Sequence, residues 1–416
     1  MNVEIVNTGS ELMLGRVLNT HQQWLCRRLS DLGHTVTRQV AIADTAEDIQ
    51  TAVREALPRA DLIITTGGLG PTSDDLTREL IAALLGKKLM PDAAVLAHIE
   101  GFFAKRNRPR PARTDVETMV PEGATVFLNP TGTAPGLAMR TTASGVTPAR
   151  WLVMLPGPPR ELRPMFDQCV VPLLGREFAD AVFVCRTLRT SGIGESVVQD
   201  MVECKLQPLV ARGLGVGYCA RPGAVDVRLT AGGGDAKTLV AEGEKMVEQV
   251  FGASVFGRDD EEVGEVVVHK LRALKKTVAL AESCTGGIIA DLLTDVPGAS
   301  EVFLGGVVSY AHSAKEQFLG VKAESLAAHG AVSETVAREM ADGARSRFGA
   351  DYALAVTGLA GPGGGTEQVP VGTVYIALAT ASGVEVKKML NPWDRLTFKQ
   401  VTATQALAWL LRVAGA

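Results

Sequence analysis

The residues best suited to chemistry lie in Thr277-Val-Ala-Leu-Ala-Glu-Ser-Cys-Thr-Gly-Gly287. An apolar strand, Val278 to Ala281, feeds a hydroxyl-rich turn, and a helix is expected from about Gly286. That order places Ser283, Cys284 and Thr285 at a helix N-terminus. Free backbone N–H groups and the helix dipole there favour an anion or an oxyanion. Gly286 and Gly287 let a ligand approach the backbone closely. A serine on a strand-to-helix turn is also the geometry of a nucleophile elbow. Ser283 is therefore a candidate nucleophile and Cys284 its adjacent rival. Neighbouring side chains on a turn diverge, so only one should face the site, and Cys284 reads better as a buried structural cysteine.

A serine nucleophile needs a base. No Ser-His-Asp order stands out: His269 falls in a helical pattern, His329 precedes a turn glycine, and only His312 lies near the site. Lys315, in the polar loop after the strand that opens at Gly305, is the better partner. A lysine desolvated in a glycine-rich pocket loses enough basicity to act as a base. A second constellation lies far upstream. Thr65-Thr-Gly-Gly-Leu-Gly-Pro-Thr-Ser-Asp-Asp75 leaves a buried strand and enters a helix that should hold Asp74 and Asp75 just inside its start. Backbone N–H groups of such a run wrap a phosphate. Two adjacent carboxylates beside it call for a divalent cation such as Mg²⁺, although Asp74 also suits a helix first turn. Two more loops follow strands: Asn129-Pro-Thr-Gly-Thr-Ala-Pro-Gly136 and Leu155-Pro-Gly-Pro-Pro-Arg-Glu161.

The elements that must position these residues are legible. Strands at Val3–Val6, Val36–Ile42 and Asp61–Thr65 alternate with amphipathic helices, which predicts a mostly parallel sheet covered on both faces. Ligands in such folds sit at the carboxyl ends of the strands. From Arg176 to about Gly257 the order becomes β-α-β-β-α, a small α+β unit. Strands are expected at Ala181–Leu188, Val216–Cys219 and Ala224–Thr230, with a helix over Lys237–Phe251. The last third has helices over Asp259–Leu274, Val336–Phe348 and Leu396–Val413, with Ser333 as an N-cap, and strands at Tyr352–Val356, Val374–Thr380 and Val384–Leu390. A chain of 416 residues exceeds one core. The expected modules are 1–175, 176–257 and 258–416. Net charge is −4 and the pI about 6.0, which gives no support for nucleic-acid or anionic-membrane binding. The basic run Lys105–Arg113 reads as a solvated surface loop. Six cysteines without a Cys-x-x-Cys pair fit a reducing compartment. The start reads as a strand rather than a signal peptide, and no apolar run reaches a membrane span. The expectation is a cytoplasmic protein.

These motifs carry a resemblance. The Thr-Gly-Gly-Leu-Gly-Pro-Thr-Ser-Asp-Asp run and its two companion loops resemble the N-terminal domain of the CinA (competence/damage-inducible) family, which is similar to the molybdopterin-binding MoaB/MogA fold. Ala-Glu-Ser-Cys-Thr-Gly-Gly, Tyr310-x-x-x-x-Lys315, Gly330-Ala-Val-Ser-Glu334 and Thr357-Gly-Leu-Ala-Gly-Pro-Gly-Gly364 resemble its C-terminal, PncC-type domain. The resemblance implies a KH-like connector between them; neither a Gly-x-x-Gly clamp nor a basic face is visible there, so the connector reads as a spacer that packs at a dimer interface. It implies a homodimeric bifunctional hydrolase of pyridine nucleotides. In the C-terminal domain Ser283 would attack the carboxamide of nicotinamide mononucleotide, giving nicotinate mononucleotide and ammonia without a metal. Lys315 would be the base and Tyr310 its orienting or stacking partner. Thr285, Gly286, Gly287, Thr357, Gly358, Gly363, Gly364 and Arg395 would bind the substrate. In the N-terminal domain Asp74 and Asp75 would hold Mg²⁺, Mn²⁺ or Co²⁺ for hydrolysis of ADP-ribose to AMP and ribose 5-phosphate. Thr66, Gly67, Gly68, Gly70 and Thr72 would cradle phosphate, and Glu11, Asn129, Thr133 and Glu161 would line the pocket.

The chain departs from the family pattern at Ser10 (usually Asp), His21 (usually Asn), Trp393 (usually Gly) and Lys399 (usually Arg). Two other readings stay open: a non-hydrolytic nucleotide- or pterin-binding N-terminal module, and an interaction factor in competence or DNA damage.

Overall fold

The computed structural model describes residues 1–141, 149–178 and 182–415. The chain separates into two compact units, Met1–Val184 with Gly232–Gly234, and Cys185–Ala231 with Asp235–Ala416.

The first unit is built on β1 (Asn2–Thr8), β2 (Thr35–Ile42), β3 (Leu62–Thr66), β4 (Leu89–Pro91), β5 (Met119–Pro121), β6 (Thr125–Phe127), β7 (Gly136–Arg140) and β8 (Trp151–Leu155). Six of these form one sheet in the order β2-β1-β3-β8-β7-β6, parallel from β2 to β8 and antiparallel beyond; β4 and β5 pair separately. The period of two sends alternate residues to opposite faces. Leu62, Ile64, Val153 and Leu155 pack with Leu25, Leu29, Leu162 and Phe166 of the helices over 20–31 and 159–177. Ile63, Leu152 and Met154 pack the other way, against Ile49, Val53, Ile81 and Ile99. The parallel register aligns Asn7 with Thr66 and Thr66 with Leu155, so the loops after β1, β3 and β8 leave from one edge. The helix after β3 runs Thr77–Leu84, so Asp74 and Asp75 stand in the turn before it rather than inside it.

In the second unit, β9 (Phe183–Ser191), β10 (Gly215–Arg221), β11 (Ala224–Gly232) and β12 (Val255–Arg258) form a sheet in the order β10-β11-β9-β12, with helices Glu195–Val210 and Ala236–Phe251. The expected start of β9 at Ala181 lies outside the described residues. The remaining sheet contains β13 (Val278–Glu282), β14 (Phe303–Val308), β15 (Tyr352–Gly358), β16 (Thr373–Thr380) and β17 (Gly383–Leu390), ordered β14-β13-β15-β16-β17. β13 is parallel to both neighbours, and β16 and β17 run antiparallel. One face carries Val278, Leu280, Leu354 and Val356 against helices Val263–Leu274 and Arg395–Gly415. The other face is lined by Ala279, Ala281, Ala353, Ala355, Ala377 and Ala379, under helix Glu334–Phe348. Alanine at every second position of three adjacent strands keeps that face shallow and lets the helix lie close. Ser333 caps it, its Oγ accepting from the Val336 N–H at 3.3 Å. The helix expected from Asp259 begins at Val263.

Candidate active sites

Ser283 follows β13, between two parallel neighbours, at the carboxyl edge of the sheet. Lys315 lies in a helix, His312–Leu319, and not in the polar loop that its neighbours suggested. The helix turns Lys315 inward until only 1% of it is exposed. Its Nζ donates to Ser283 Oγ at 3.0 Å, to the Ser309 carbonyl at 2.6 Å and to the Tyr310 carbonyl at 3.3 Å. Among the described residues no carboxylate pairs with it. Burial without a counter-charge disfavours the ammonium and pulls the Lys315 pKa down from 10.5 to about 8. A lysine tuned this way is partly neutral near pH 7, already bonded to the hydroxyl it would deprotonate. Cys284 is buried, and burial pushes its thiol up to about 12. It stays protonated and is a poor nucleophile.

The turn is held by a residue whose role the sequence reading missed. Helix Ile288–Thr294 begins two residues later than expected. The Glu282 carboxylate reaches back to its start and accepts from the N–H groups of Gly287 (2.9 Å), Ile289 (3.2 Å) and Ala290 (2.8 Å). The helix-end donors expected to bind a substrate anion are thus occupied by the protein's own carboxylate. Thr285 is fully buried, and neither it nor Gly286, Gly287 or Gly364 lines the cavity.

That cavity, about 250 Å³, is lined by Ser283, Tyr310, Lys315, Thr357, Gly358, Gly363 and Arg395 from the expected set, joined by His312 and by Cys284, so that both neighbours border it and not Ser283 alone. Three of them act differently from the expectation. The Thr357 hydroxyl donates to the Ala331 carbonyl at 2.7 Å, so it ties two loops together rather than offering a proton to a ligand. The Ser283 N–H is taken by the Val356 carbonyl. Tyr310 is 61% exposed, and its hydroxyl accepts from Arg395 at 2.7 Å. Only its backbone carbonyl steadies Lys315. Arg395 also donates to the Gly361 carbonyl at 3.0 Å, and of its five N–H donors the rest remain for an anion.

The first unit carries a larger cavity, about 500 Å³, at the edge where the three parallel strands end. Glu11, Gly67, Gly68, Gly70, Asp74, Asp75, Thr133 and Glu161 all line it. Thr66, Thr72 and Asn129 do not. The Thr66 hydroxyl donates to Asn7 Oδ1 inside the sheet. Thr72 gives both its N–H and its hydroxyl to Asp75 Oδ2. Asn129 is fully buried and pins its loop: it accepts from the Thr131 and Gly132 N–H groups and donates to the Ala134 carbonyl and Glu161 Oε2. Gly68, at φ +67°, leaves no room for a side chain, since a Cβ there would lie 2.0 Å from Thr77 Oγ1. Glu117 is an unforeseen member. Buried, and flanked by Asp75 and Glu161, it rises to about 7 despite accepting from Thr133 at 3.0 Å. Its position in the irregular 112–118 segment gave no signal.

A divalent cation suits the crowding of Asp75, Glu117 and Glu161, whose like charges oppose one another. Among the described residues, however, no three His, Cys, Asp or Glu side chains converge as a ready metal cage. The fit is to Mg²⁺-type binding by one or two carboxylates, completed by water and substrate phosphate.

Comparisons with known proteins place the chain among others of its architecture. Residues 4–176 match the family model "Probable molybdopterin binding domain", residues 185–257 "Damage-inducible protein CinA KH domain" and residues 260–414 "CinA C-terminal domain". A CinA-like protein of Akkermansia muciniphila is 43% identical over 412 residues, 99% of this chain and 97% of that one. Another, from Gemmatimonas aurantiaca, is 41% identical over 99% of this chain and 96% of its own length. The crystal structure of competence/damage inducible protein CihA from Agrobacterium tumefaciens is 39% identical, covering 37% of this chain and 94% of that one with a TM-score of 0.36. The architecture is a molybdopterin-binding-type α/β domain, a KH-like connector and a C-terminal α/β domain. The chain belongs to the CinA family. Among the described residues, no helix is long and apolar enough to cross a membrane.

Proposed function

We propose that the C-terminal domain is a serine amidohydrolase that deamidates nicotinamide mononucleotide. The observation that carries this reading is the buried Lys315 amine, 3.0 Å from Ser283 Oγ and without an acidic partner. Ser283 Oγ adds to the carboxamide carbon while Lys315 Nζ takes the hydroxyl proton. The C–N bond then breaks, and Lys315 returns the proton to the departing amide nitrogen as ammonia. Water adds to nicotinoyl-Ser283 with its proton again taken by Lys315, the C–Oγ bond breaks as Lys315 returns that proton to Ser283 Oγ, and nicotinate mononucleotide leaves. Arg395 faces the substrate phosphate. The test is ammonia release from nicotinamide mononucleotide by the purified protein. Activity is expected in the wild type and in Cys284→Ala and lost in Ser283→Ala; an active Ser283→Ala would sink the assignment.

For the N-terminal domain the proposed activity is hydrolysis of ADP-ribose to AMP and ribose 5-phosphate. Asp74 and Asp75 are the candidate ligands for Mg²⁺, Mn²⁺ or Co²⁺, which when bound supplies charge neutralisation at the pyrophosphate. Gly67, Gly68 and Gly70 bring backbone to that phosphate. A second reading, in which this domain binds a nucleotide or pterin without hydrolysing it, is favoured by Asp75 Oδ2 being already engaged by the Thr72 N–H and hydroxyl. Turnover of ADP-ribose with each metal, and its loss in Asp75→Ala, separates the two. The protein is further proposed to be a cytoplasmic homodimer; sedimentation of the purified chain tests the dimer.

A further inference from the structure

A third cleft lies in the second unit, away from the Ser283 cavity. It holds about 150 Å³ and is lined by Ser191 from the end of β9, Ser254 from the turn before β12, Lys387 and Met389 from β17, and Trp409 and Arg412 from the closing helix. Two features set it apart. First, it gathers two cations. Among the described residues neither Lys387 nor Arg412 makes an ion pair. Glu385 is the one acid acting on Lys387, too far to pair with it, and burial together with Arg412 depresses the Lys387 pKa while burial depresses that of Arg412. Second, no acid stands among its lining residues. Ser191, Ser254 and Gln405 are the uncharged polar residues of its lining, and Lys387 lies over the buried Trp409 ring, 4.4 Å from its centroid.

Lys387 is exposed and Arg412 half-buried, yet the two cations act on each other with no acid among the lining residues, and an anion between them relieves that repulsion. The charge count selects the anion. A phosphate group carries about −1.5 to −2 at pH 7 and matches two cations, whereas one carboxylate leaves a cation unbalanced. The volume selects its size: about five waters at roughly 30 Å³ each, enough for a phosphate but not for a nucleoside.

We propose that this cleft is a phosphate site, in which Lys387 and Arg412 hold one phosphate group, free or as the end of a monoester whose body points to solvent past Lys387. Because Ser191 and Ser254 come from the small β9–β12 module and the cations from the C-terminal sheet and helix, the bound phosphate ties the two modules together. The proposal does not depend on the amidohydrolase reading.

Trp409 supplies a direct readout. Inorganic phosphate and glycerol phosphate are titrated into the full-length protein at constant ionic strength, following tryptophan emission. The wild type is expected to show a saturable change that Trp409→Phe lacks. Lys387→Gln with Arg412→Gln moves the response to at least about tenfold higher concentration. Since the double substitution removes a like-charge pair, its melting temperature without phosphate should equal or exceed that of the wild type; if it fails to fold, Arg412→Gln alone carries the test. Glycerol phosphate matching inorganic phosphate indicates a monoester; inorganic phosphate alone indicates the free ion. A folded cation variant that titrates like the wild type, a response to acetate equal to that to phosphate, or no response to either phosphate overturns the proposal.

Discussion

Replacing Lys315 by arginine keeps a cation and most of the side-chain length but removes the ability to be neutral. With its pKa near 8, roughly one tenth of Lys315 is free amine at pH 7; at the ordinary 10.5 the fraction is about three in ten thousand. Burial therefore raises the supply of base by about 300-fold. Arginine stays protonated throughout. General-base catalysis contributes about 10²- to 10⁴-fold, so Lys315→Arg should lower kcat/KM for ammonia release by that range. In the wild type, log kcat/KM should climb with unit slope and level off near pH 8, a rise absent from the variant. A flat wild-type profile from pH 6.5 to 9, or a variant keeping more than about a tenth of the activity, would refute the reasoning. Stability carries the opposite signature. The folded pKa lies below the unfolded one, so between pH 8 and 10.5 the unfolded chain binds more protons and stability rises with pH. Below about 8 the burial penalty is complete. Lys315→Met should therefore melt higher than the wild type at pH 7, with a gain that shrinks by pH 9.5.

Three further perturbations follow from the packing. Glu282→Gln leaves one acceptor for three N–H groups and should cost about 1–3 kcal/mol in urea unfolding of the second unit, with a fall in ammonia release; unchanged values for both would remove Glu282 from its role. Gly343→Ala places a Cβ 1.8 Å from the Leu319 carbonyl, forcing the helix under the alanine face away from the helix that carries Lys315. A loss of about 1–3 kcal/mol is expected, together with lower activity, both read from melting and assay of one preparation. Glu117 is displaced upward, so from about pH 4.5 to 7 the folded first unit holds the extra proton and stability declines as pH rises. Glu117→Gln should flatten that decline and melt above the wild type at pH 8; parallel melting profiles would contradict it.

What the sequence disclosed follows from how each residue signals itself. Val278–Ala281 and Leu62–Thr65 are apolar runs bounded by turns, and both are buried strands with the candidate-site loops after them. Ser283 and the Gly67–Gly70 run could be placed because strand, turn and helix are local patterns. Helix His312–Leu319 could not, since its polar face outweighs its apolar one and Lys315, its fully buried member, reads as a solvent residue. Glu282 ends a strand, where glutamate is unremarked; its capping role depends on the chain folding back over the following turn. Glu117 meets Asp75 and Glu161 only through the fold, being more than forty residues from each. Thr357 and Asn129 have the chemistry of ligand binders, yet their hydrogen bonds are spent holding loops. Residue type alone does not distinguish the two uses.

The Glu282 clasp also changes where an entropic cost falls. A serine turn that waited for a substrate anion to order it would lose conformational freedom at each binding event, at about 1–2 kcal/mol for every backbone residue fixed. Here the anion is built in, so the turn is ordered when the domain folds and Ser283 is held in place before any ligand arrives. Substrate and inhibitor then meet a rigid partner: affinity for either should reflect the contacts it makes at Ser283 and Arg395, with little penalty for shaping the loop.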